Sequence, residues 1–240
     1  MDGVEHASTE VVSWVPTLLE QISQSFEVAE PQDILSWAST TFGDKMTLGT
    51  AFGVSGMVLI DMAMKVCKEV DVFYIDTGLF FPETYELIER AEKRYGVRFR
   101  RLTPELSVEG QAQAHGARLW EKDSNKCCSM RKVVPLSQAV RGHTAWVTGL
   151  RRDQSPTRRH TPVVQWNKKH QLVKIAPLAN WTEKDVWTYA LKHDVPYNPL
   201  HNQGFPSIGC KPCTRAVRPG EDLRAGRWSG SDKTECGLHL

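Results

Sequence analysis

An α/β fold, with a parallel sheet and helices on both of its faces, is what this sequence predicts, and three observations carry the prediction. From residue 45 onward, short apolar runs alternate with stretches of helical length, the rhythm of βαβ units. The run VDVFYID (70–76) is apolar along most of its length, as suits a strand covered on both faces. Helical stretches carry Pro near their starts and Gly at their ends, as in PETYELIERAEKRYG (82–96).

The elements follow in order. Residues 1–40 read as a helical lead-in, with Pro31 in the first turn of a helix through Ile34, Leu35 and Trp37 to Phe42 and Gly43. KMTLGTAF (45–52) reads as a strand, GMVLIDMAMKVC (56–67) as a helix, 70–76 as a strand, 82–96 as a helix and VRFRRL (97–102) as a strand. A helix is expected from about Met130 to Val140 and a strand at TAWVTGL (144–150). A further strand falls near VVQWN or LVKIA, then a helix at 181–193 whose acidic start follows Thr182. Residues 41–195 thus form the α/β domain. Residues 196–240, rich in Gly, Pro and polar side chains, form an irregular C-terminal extension that carries function. No internal repeat interrupts this order.

Composition narrows the function. The chain has 240 residues, 24% charged and 40% apolar, and a net charge of +2. That charge is too small to mark a nucleic-acid binder, so an anion site must come from local clustering of Lys and Arg. No apolar run approaches the roughly 18–20 residues that span a bilayer, and the start MDGVEHASTEVV lacks a secretion signal's basic-then-apolar pattern. A cytoplasmic protein without membrane contact is expected. There thiols stay reduced, and six cysteines point to metal or catalysis before disulfides.

Five cysteines form two tight groups and a tail: Cys127-Cys128, Cys210-x-x-Cys213 and Cys236. Four thiolates from a CC and a CxxC could ligate zinc or an iron–sulfur cluster. Paired zinc cysteines usually stand two to four residues apart, so the adjacent pair favours iron–sulfur. The competing reading makes Cys127 and Cys128 small buried hydrophobes and Cys210/Cys213 a redox pair, although Lys126, Ser129 and Arg131 make a polar setting for them. Cys67 ends an apolar helix and reads as core. Cys236 follows the polar stretch SGSDKT, so its segment should move; with Lys233 and His239 nearby, it reads as a nucleophile or as a stray terminal thiol.

Arg151, Arg152, Arg158 and Arg159 fall within nine residues behind the strand 144–150, where an α/β fold places ligands. Arg224 and Arg227 stand three apart, and Lys132 lies four past Cys128, which on a helix would give them one face. Guanidinium forks suit phosphate and sulfate oxygens; the alternatives are a solvated face or a nucleic-acid patch.

Taken together, LGTAFGVSGMVLIDM (48–62), DTGLFFPETYEL (76–87), WVTGLRRDQSPTRR (146–159), the segment 197–228 around CKPC, and ECGLH (235–239) resemble the phosphosulfate reductase family, in its cluster-bearing adenylyl-sulfate reductase branch. The resemblance runs from about Thr47 to Leu240. It implies an adenine-nucleotide α-hydrolase, or PP-loop, fold. It implies a 4Fe–4S cluster on Cys127, Cys128, Cys210 and Cys213. It places the nucleotide on the loop from Thr50 to Gly56, including Phe52, Gly53 and Ser55, and on Asp76, Thr77 and Gly78. Lys132, Arg224, Arg227 and Arg158 would surround the phosphosulfate, with Arg151, Arg152 and His239 also in the substrate site. Cys236 would attack sulfur to give an enzyme thiosulfonate and AMP, and thioredoxin or glutaredoxin would release sulfite.

One departure bears on the substrate. Many cluster-bearing relatives have an acidic pair in the nucleotide loop; GVSG (53–56) is closer to cluster-free enzymes that take the 3′-phosphorylated compound, which keeps that substrate as the alternative. The loop also lacks the SGGxDS of ATP-cleaving relatives. That absence weighs against a third reading, a metal-stabilised RNA-binding relative of tRNA-thiolation enzymes. Oligomeric state is open in the sequence, a homo-oligomer included.

Overall fold

The computed structural model describes residues 14–229 and 233–239. Its six strands are β1 (Met46–Thr50), β2 (Asp71–Ile75), β3 (Arg100–Leu102), β4 (Ala145–Thr148), β5 (Val164–Asn167) and β6 (Leu172–Ile175). Its α-helices among the described residues are α1 (Pro16–Ser25), α2 (Pro31–Phe42), α3 (Val54–Val66), α4 (Pro82–Tyr95), α5 (Val108–His115), α6 (Leu119–Lys122), α7 (Ser124–Cys128), α8 (Val134–Ala139) and α9 (Glu183–Lys192). The sheet order is β3-β2-β1-β4-β6-β5. All pairings are parallel except β5 with β6. Leu48 of β1 sits beside Val72 of β2 on one side and Val147 of β4 on the other. The chain therefore winds outward from β1 in both directions, and the crevice beyond the carboxyl ends of β1 and β4 is a topological switch point, where such sheets bind ligands.

Side-chain alternation along the strands sorts the core into two faces. Met46, Leu48, Val72, Val147 and Val173 join the larger core with residues of α1, α2, α3, α4 and α9. Helix α3 is apolar nearly all round, as befits a buried helix; its one carboxylate, Asp61, accepts from Lys65 Nζ (2.5 Å), Tyr189 (2.9 Å) and Tyr95 (3.1 Å). The opposite face presents Phe73, Trp146 and Leu172, and α8 covers them with Leu136 and Ala139. On that face Gly49 lies between two rings. A Cβ there would stand 2.7 Å from Trp146 Nε1 and 2.8 Å from Phe73 Cζ, so only glycine fits.

The elements meet most expectations. Gly96 ends α4 in the left-handed conformation (φ 66°). Thr182 and Asp185 form a reciprocal capping box at the start of α9, a feature that contributes about 1 kcal/mol. Four readings change. The region near 163–176 holds two strands, a hairpin of β5 and β6, where one was expected. The strand expected over 97–102 shortens to 100–102 at the sheet edge. The helix expected from Met130 is α8 preceded by a wide π-helical turn, Ser129–Val133, that continues from α7. Helices α5 and α6 lie where no element was expected, and α5 buries only Gln111, too little apolar surface to leave a periodic pattern. The lead-in helices α1 and α2 contribute Leu19, Ile34 and Leu35 to the larger core; residues 1–13 of that lead-in lie outside the described residues.

Candidate active site

A cleft of about 270 Å³ opens at the switch point. Its floor is the loop after β1. Thr50 Oγ1 accepts from the Phe52 N–H at 3.0 Å, and Phe52 takes a positive φ of 57°, uncommon for a bulky residue. The Phe52 ring turns away into the core, 5.2 Å from Tyr74 and 5.7 Å from Phe99, so its contribution to the loop is backbone alone. Gly53 then caps α3, and Ser55 and Gly56 lie in its first turn, so its N-terminus faces the cleft. Such a helix end is suited to an anion. Gly56 lets the first turn of α3 close on Thr50, a Cβ there standing 2.5 Å from Thr50 Oγ1, and Gly149 lets the loop after β4 approach α3, a Cβ there standing 3.3 Å from the Gly56 nitrogen.

The turn after β2 forms one wall. Asp76 is buried and accepts from the Gly78 N–H (2.8 Å) and Tyr85 (2.9 Å), with Arg101 at 2.6 Å. It therefore organises the turn, with Gly78 at φ 68°, and neither residue lines the cleft. Thr77 does line it. Its carbonyl accepts from Arg131 Nε at 2.6 Å, and its hydroxyl lies 3.3 Å from Cys210 Sγ.

Behind that wall Cys127, Cys128, Cys210 and Cys213 line one small cavity with Lys132. Gln111 Nε2 donates to Cys127 Sγ at 3.8 Å, and buried Arg131 holds Gln111 in turn at 3.0 Å. Among the described residues no three His, Cys, Asp or Glu side chains are placed to share a single metal ion. A four-iron cluster asks less of them, because each thiolate bonds a different iron. Burial and the neighbouring Cys210 push the Cys213 thiol up to about 11, and burial with Cys128 raises Cys127. Burial also acts to raise Cys210, but the Lys132 charge and the Thr77 hydroxyl outweigh it and lower that thiol. The four cysteines thus share one cavity, with Cys127 and Cys213 holding their protons more tightly than a free thiol and Cys210 less tightly.

Lys132 joins the two spaces: it lines both the cysteine cavity and the cleft. It faces the same cavity as Cys128, as expected, though through the π turn and not a regular α turn. Burial acts to lower its pKa, but Cys210, Cys236 and Cys128 outweigh that and raise it. Four cations surround the Trp228 ring: Arg227 at 4.5 Å, Lys233 at 5.6 Å, Lys132 at 5.9 Å and Arg224 at 6.0 Å. All are within cation–π range. Arg227 reaches the cleft past Gly209, donating to Ser207 Oγ and the Ile208 carbonyl at 3.4 Å. Arg151 is buried against Ser55 Oγ and Asp153 Oδ1 (2.9 Å).

Besides Phe52, Asp76 and Gly78, two expected site residues stand elsewhere or act otherwise. Arg152 does not line the cleft; it turns outward to Glu27 (2.7 Å), Asn180 and the Thr161 carbonyl, tying the loop to the end of α1. His239 is half-buried, lines the cleft and stacks on Trp146 at 5.4 Å with 14° between planes; burial and the charges of Lys174 and Arg158 hold its pKa well below the usual value, so it is neutral. It serves as packing at the cleft's base.

The C-terminal segment closes the cleft. Cys236 is half-buried and lines it beside Arg224, Arg227 and Lys132. The segment expected to move, Gly230, Ser231 and Asp232, lies outside the described residues. The residues after it are anchored: Lys233 Nζ donates to Ser124 O (2.9 Å) and Asn125 Oδ1 (2.8 Å), and Leu238 packs on the second core face. Glu235 accepts from Arg158 Nε (2.9 Å) and Nη2 (2.7 Å), and from Arg224 Nη2 (3.3 Å). Trp228, Glu235, Trp146 and Gly49 went unnoticed in the sequence. Only Glu235 and Trp228 had a signal, their adjacency to Cys236 and Arg227.

Comparison with known proteins agrees with this geometry. The family model for the phosphoadenosine phosphosulfate reductase domain matches residues 45–216. Adenosine 5′-phosphosulfate reductase 1 of Bacillus subtilis is 50% identical over 207 residues, 86% of this chain and 89% of that protein. The adenosine 5′-phosphosulfate reductase of Salinibacter ruber is 47% identical over 235 residues, 97% of this chain and 93% of that one. Among solved structures, phosphoadenylyl-sulfate reductase from Candida auris in its phosphate complex superposes with a TM-score of 0.76 at 32% identity, covering 86% of this chain and 99% of that chain. The FMN adenylyltransferase of Candida glabrata shares the fold alone, with a TM-score of 0.54 at 15% identity over 92% of this chain and 85% of that chain.

Proposed function

Because the chain belongs to the phosphoadenosine phosphosulfate reductase family, we propose that it reduces adenosine 5′-phosphosulfate to sulfite and AMP. The observation that carries the proposal is the meeting of Cys236 with Lys132, Arg224 and Arg227 in one cleft at the sheet's switch point. The relatives near 50% identity named as adenosine 5′-phosphosulfate reductases support this substrate over the 3′-phosphorylated one, whose named reductase is 32% identical.

The chemistry follows from the charges. A thiolate attacking a sulfate ester meets an anion. Lys132, Arg224 and Arg227 lower that repulsion and stabilise the charge that moves to the departing phosphate. The Cys236 sulfur forms a bond to the substrate sulfur, the bond from that sulfur to the bridging oxygen breaks, and AMP leaves with the electron pair. The α3 N-terminus and the Thr50–Gly56 loop hold the nucleotide while this happens. One thiol of an external dithiol, thioredoxin or glutaredoxin, then attacks Cys236 Sγ and releases sulfite; its second thiol frees Cys236 and leaves the donor as a disulfide. The donor thus supplies both electrons. Dividing the transfer into two displacements lowers each barrier.

Cys127, Cys128, Cys210 and Cys213 would hold a 4Fe–4S cluster, supported by their shared cavity. When bound it supplies a fixed field beside Lys132 instead of electrons. Free thiols in a reduced compartment fit the cytoplasm, and no helix among the described residues is long and apolar enough to cross a membrane. The test is sulfite release from both nucleotides side by side with reduced thioredoxin. Higher kcat/KM with the unphosphorylated 3′ position is expected. The reverse preference would reassign the substrate, and no sulfite from either would sink the reading.

A further inference from the structure

Two arginines of the expected anion site already hold an anion from this chain. The Arg158 fork meets the Glu235 carboxylate with two nitrogens, Nε at 2.9 Å and Nη2 at 2.7 Å. Arg224 adds a third contact at 3.3 Å and also holds the Thr234 carbonyl at 2.9 Å. Ser155 and Thr157 hydroxyls complete the shell at 3.2 Å. The carboxylate is only 9% exposed. Burial acts to raise its pKa, but the hydrogen bonds and charges of Arg158 and Arg224 outweigh that and hold it below the usual carboxylate range. A buried, bidentate, charge-assisted pair is among the stronger contacts a surface segment can make. It sits one residue before Cys236.

The other anchors of the segment point elsewhere. Lys233 fixes its start to α7, and Leu238 with His239 fixes its end on the second sheet face. Glu235 is the side chain, among the described residues, that ties the reactive residue to the arginines facing the cleft, with the Thr234 carbonyl on Arg224 as a backbone contact beside it. We infer that Glu235 is a positioning residue, a latch whose carboxylate seats Cys236 over the cleft through Arg158 and Arg224 and shields its sulfur until the segment opens. The inference rests on the proposed reductase reading for its consequence in turnover, but not for the latch itself.

The latch has separable consequences. With the carboxylate neutralised, Cys236 should be more open to solvent and less often poised over the substrate. Attack on the sulfate therefore slows. Release of sulfite by the external dithiol, which needs the open segment, does not.

The test compares wild type with Glu235→Gln and Glu235→Ala in the anaerobically purified protein. The first readout is the rate at which iodoacetamide, a small neutral reagent, labels the Cys236 peptide, followed by mass spectrometry. Both variants should label about tenfold faster, the scale of a lost charge-assisted hydrogen bond, with AMP affinity retained. Glu235→Asp, which keeps the charge on a shorter arm, should restore part of the protection. The second readout is a single turnover: thiosulfonate formation should slow and its dithiol-driven release should not. Unchanged labelling in both variants would overturn the latch. Equal slowing of formation and release would reduce Glu235 to a general support of the fold and overturn it too. Labelling does not depend on sulfite chemistry, so faster labelling in a chain that releases no sulfite would keep the latch and reject the reductase reading.

Discussion

Thr77 Oγ1 and Cys210 Sγ stand 3.3 Å apart in the buried wall between the cleft and the cysteine cavity. The turn that would border the nucleotide and the segment that would border a cluster thus share one contact, and a change at Cys210 should be felt on both sides. Cys210→Ser, purified anaerobically, should lose most of the roughly four iron atoms per chain that a 4Fe–4S centre implies. It should also lose sulfite release. Iron analysis and the assay together check this; a fully active wild type without iron would refute the cluster.

Cys236→Ser separates nucleophile from ligand. The residue lines the cleft and not the cysteine cavity, so the variant should keep its iron and bind AMP. It should form no adduct, since a serine hydroxyl is barely ionised at neutral pH. Wild type given substrate without a dithiol should gain about 80 Da, one SO₃ group, on the Cys236 peptide, the mark of covalent catalysis. That mass on another residue, or turnover by the serine variant, would move the chemistry elsewhere.

Gly209 lies against the Arg227 guanidinium so closely that a Cβ would overlap it. The obstructed atoms are the end of a flexible side chain, so Gly209→Ala should displace Arg227 and leave the fold intact. Substrate affinity or turnover should fall about tenfold, as for one lost charged hydrogen bond, with little change in Tm. Arg227→Ala should lower activity comparably, and the double variant should lose no more than Arg227→Ala alone, the signature of a shared pathway. Additive losses would separate the two residues.

Lys174 predicts a pH dependence of stability. It is buried on β6, 5.4 Å over the Trp146 ring, with the His239 carbonyl at 3.5 Å. Burial, with the charge of Arg158, lowers its pKa from 10.5 to about 8. The folded value is the lower one, so the contribution to stability is full above 10.5 and is lost as pH falls through about 8. At pH 7 Lys174→Met should therefore exceed wild type in stability, by on the order of 3 kcal/mol at most. That advantage should shrink as pH rises from about 8 toward 10.5, where the folded lysine has lost its proton and the unfolded one still carries it. Urea midpoints at several pH values give the comparison; a constant difference would contradict the shift.

The architecture was legible because parallel strands buried on two faces read as short apolar runs, and Pro, Gly and the Thr182–Asp185 box mark helix ends. The hairpin of β5 and β6 was harder, since two four-residue strands leave too little pattern to separate them. Lys132, Arg158, Arg224, Arg227 and Cys236 were picked out by residue type and do converge. Residue type misled for Arg152, because nothing local reveals that Glu27, at the end of α1, reaches it. It also concealed Phe52 and Asp76, whose loops border the ligand space while their side chains serve the fold. Glu235 needed the tertiary fold, since its bidentate partner Arg158 stands 77 residues away in the chain.

The wide turn at Ser129–Val133 makes the direction of Lys132 the property of this region most sensitive to chain length. An α-helix advances about 100° per residue, and π turns of this kind recur at functional sites. Cys127 and Cys128 lie before the turn and face the cysteine cavity, while Leu136 and Ala139 lie after it and cover the sheet. A π turn winds one more residue into each turn than an α turn does, so the extra residue is absorbed locally and both groups stay seated. Removing one residue would let the backbone relax into regular α winding with both groups still near their targets, but it would re-aim the side chains inside the turn, Lys132 among them. Shortening this stretch by one residue should therefore spare the cysteines and the cover of the sheet and be felt at the cleft, through Lys132.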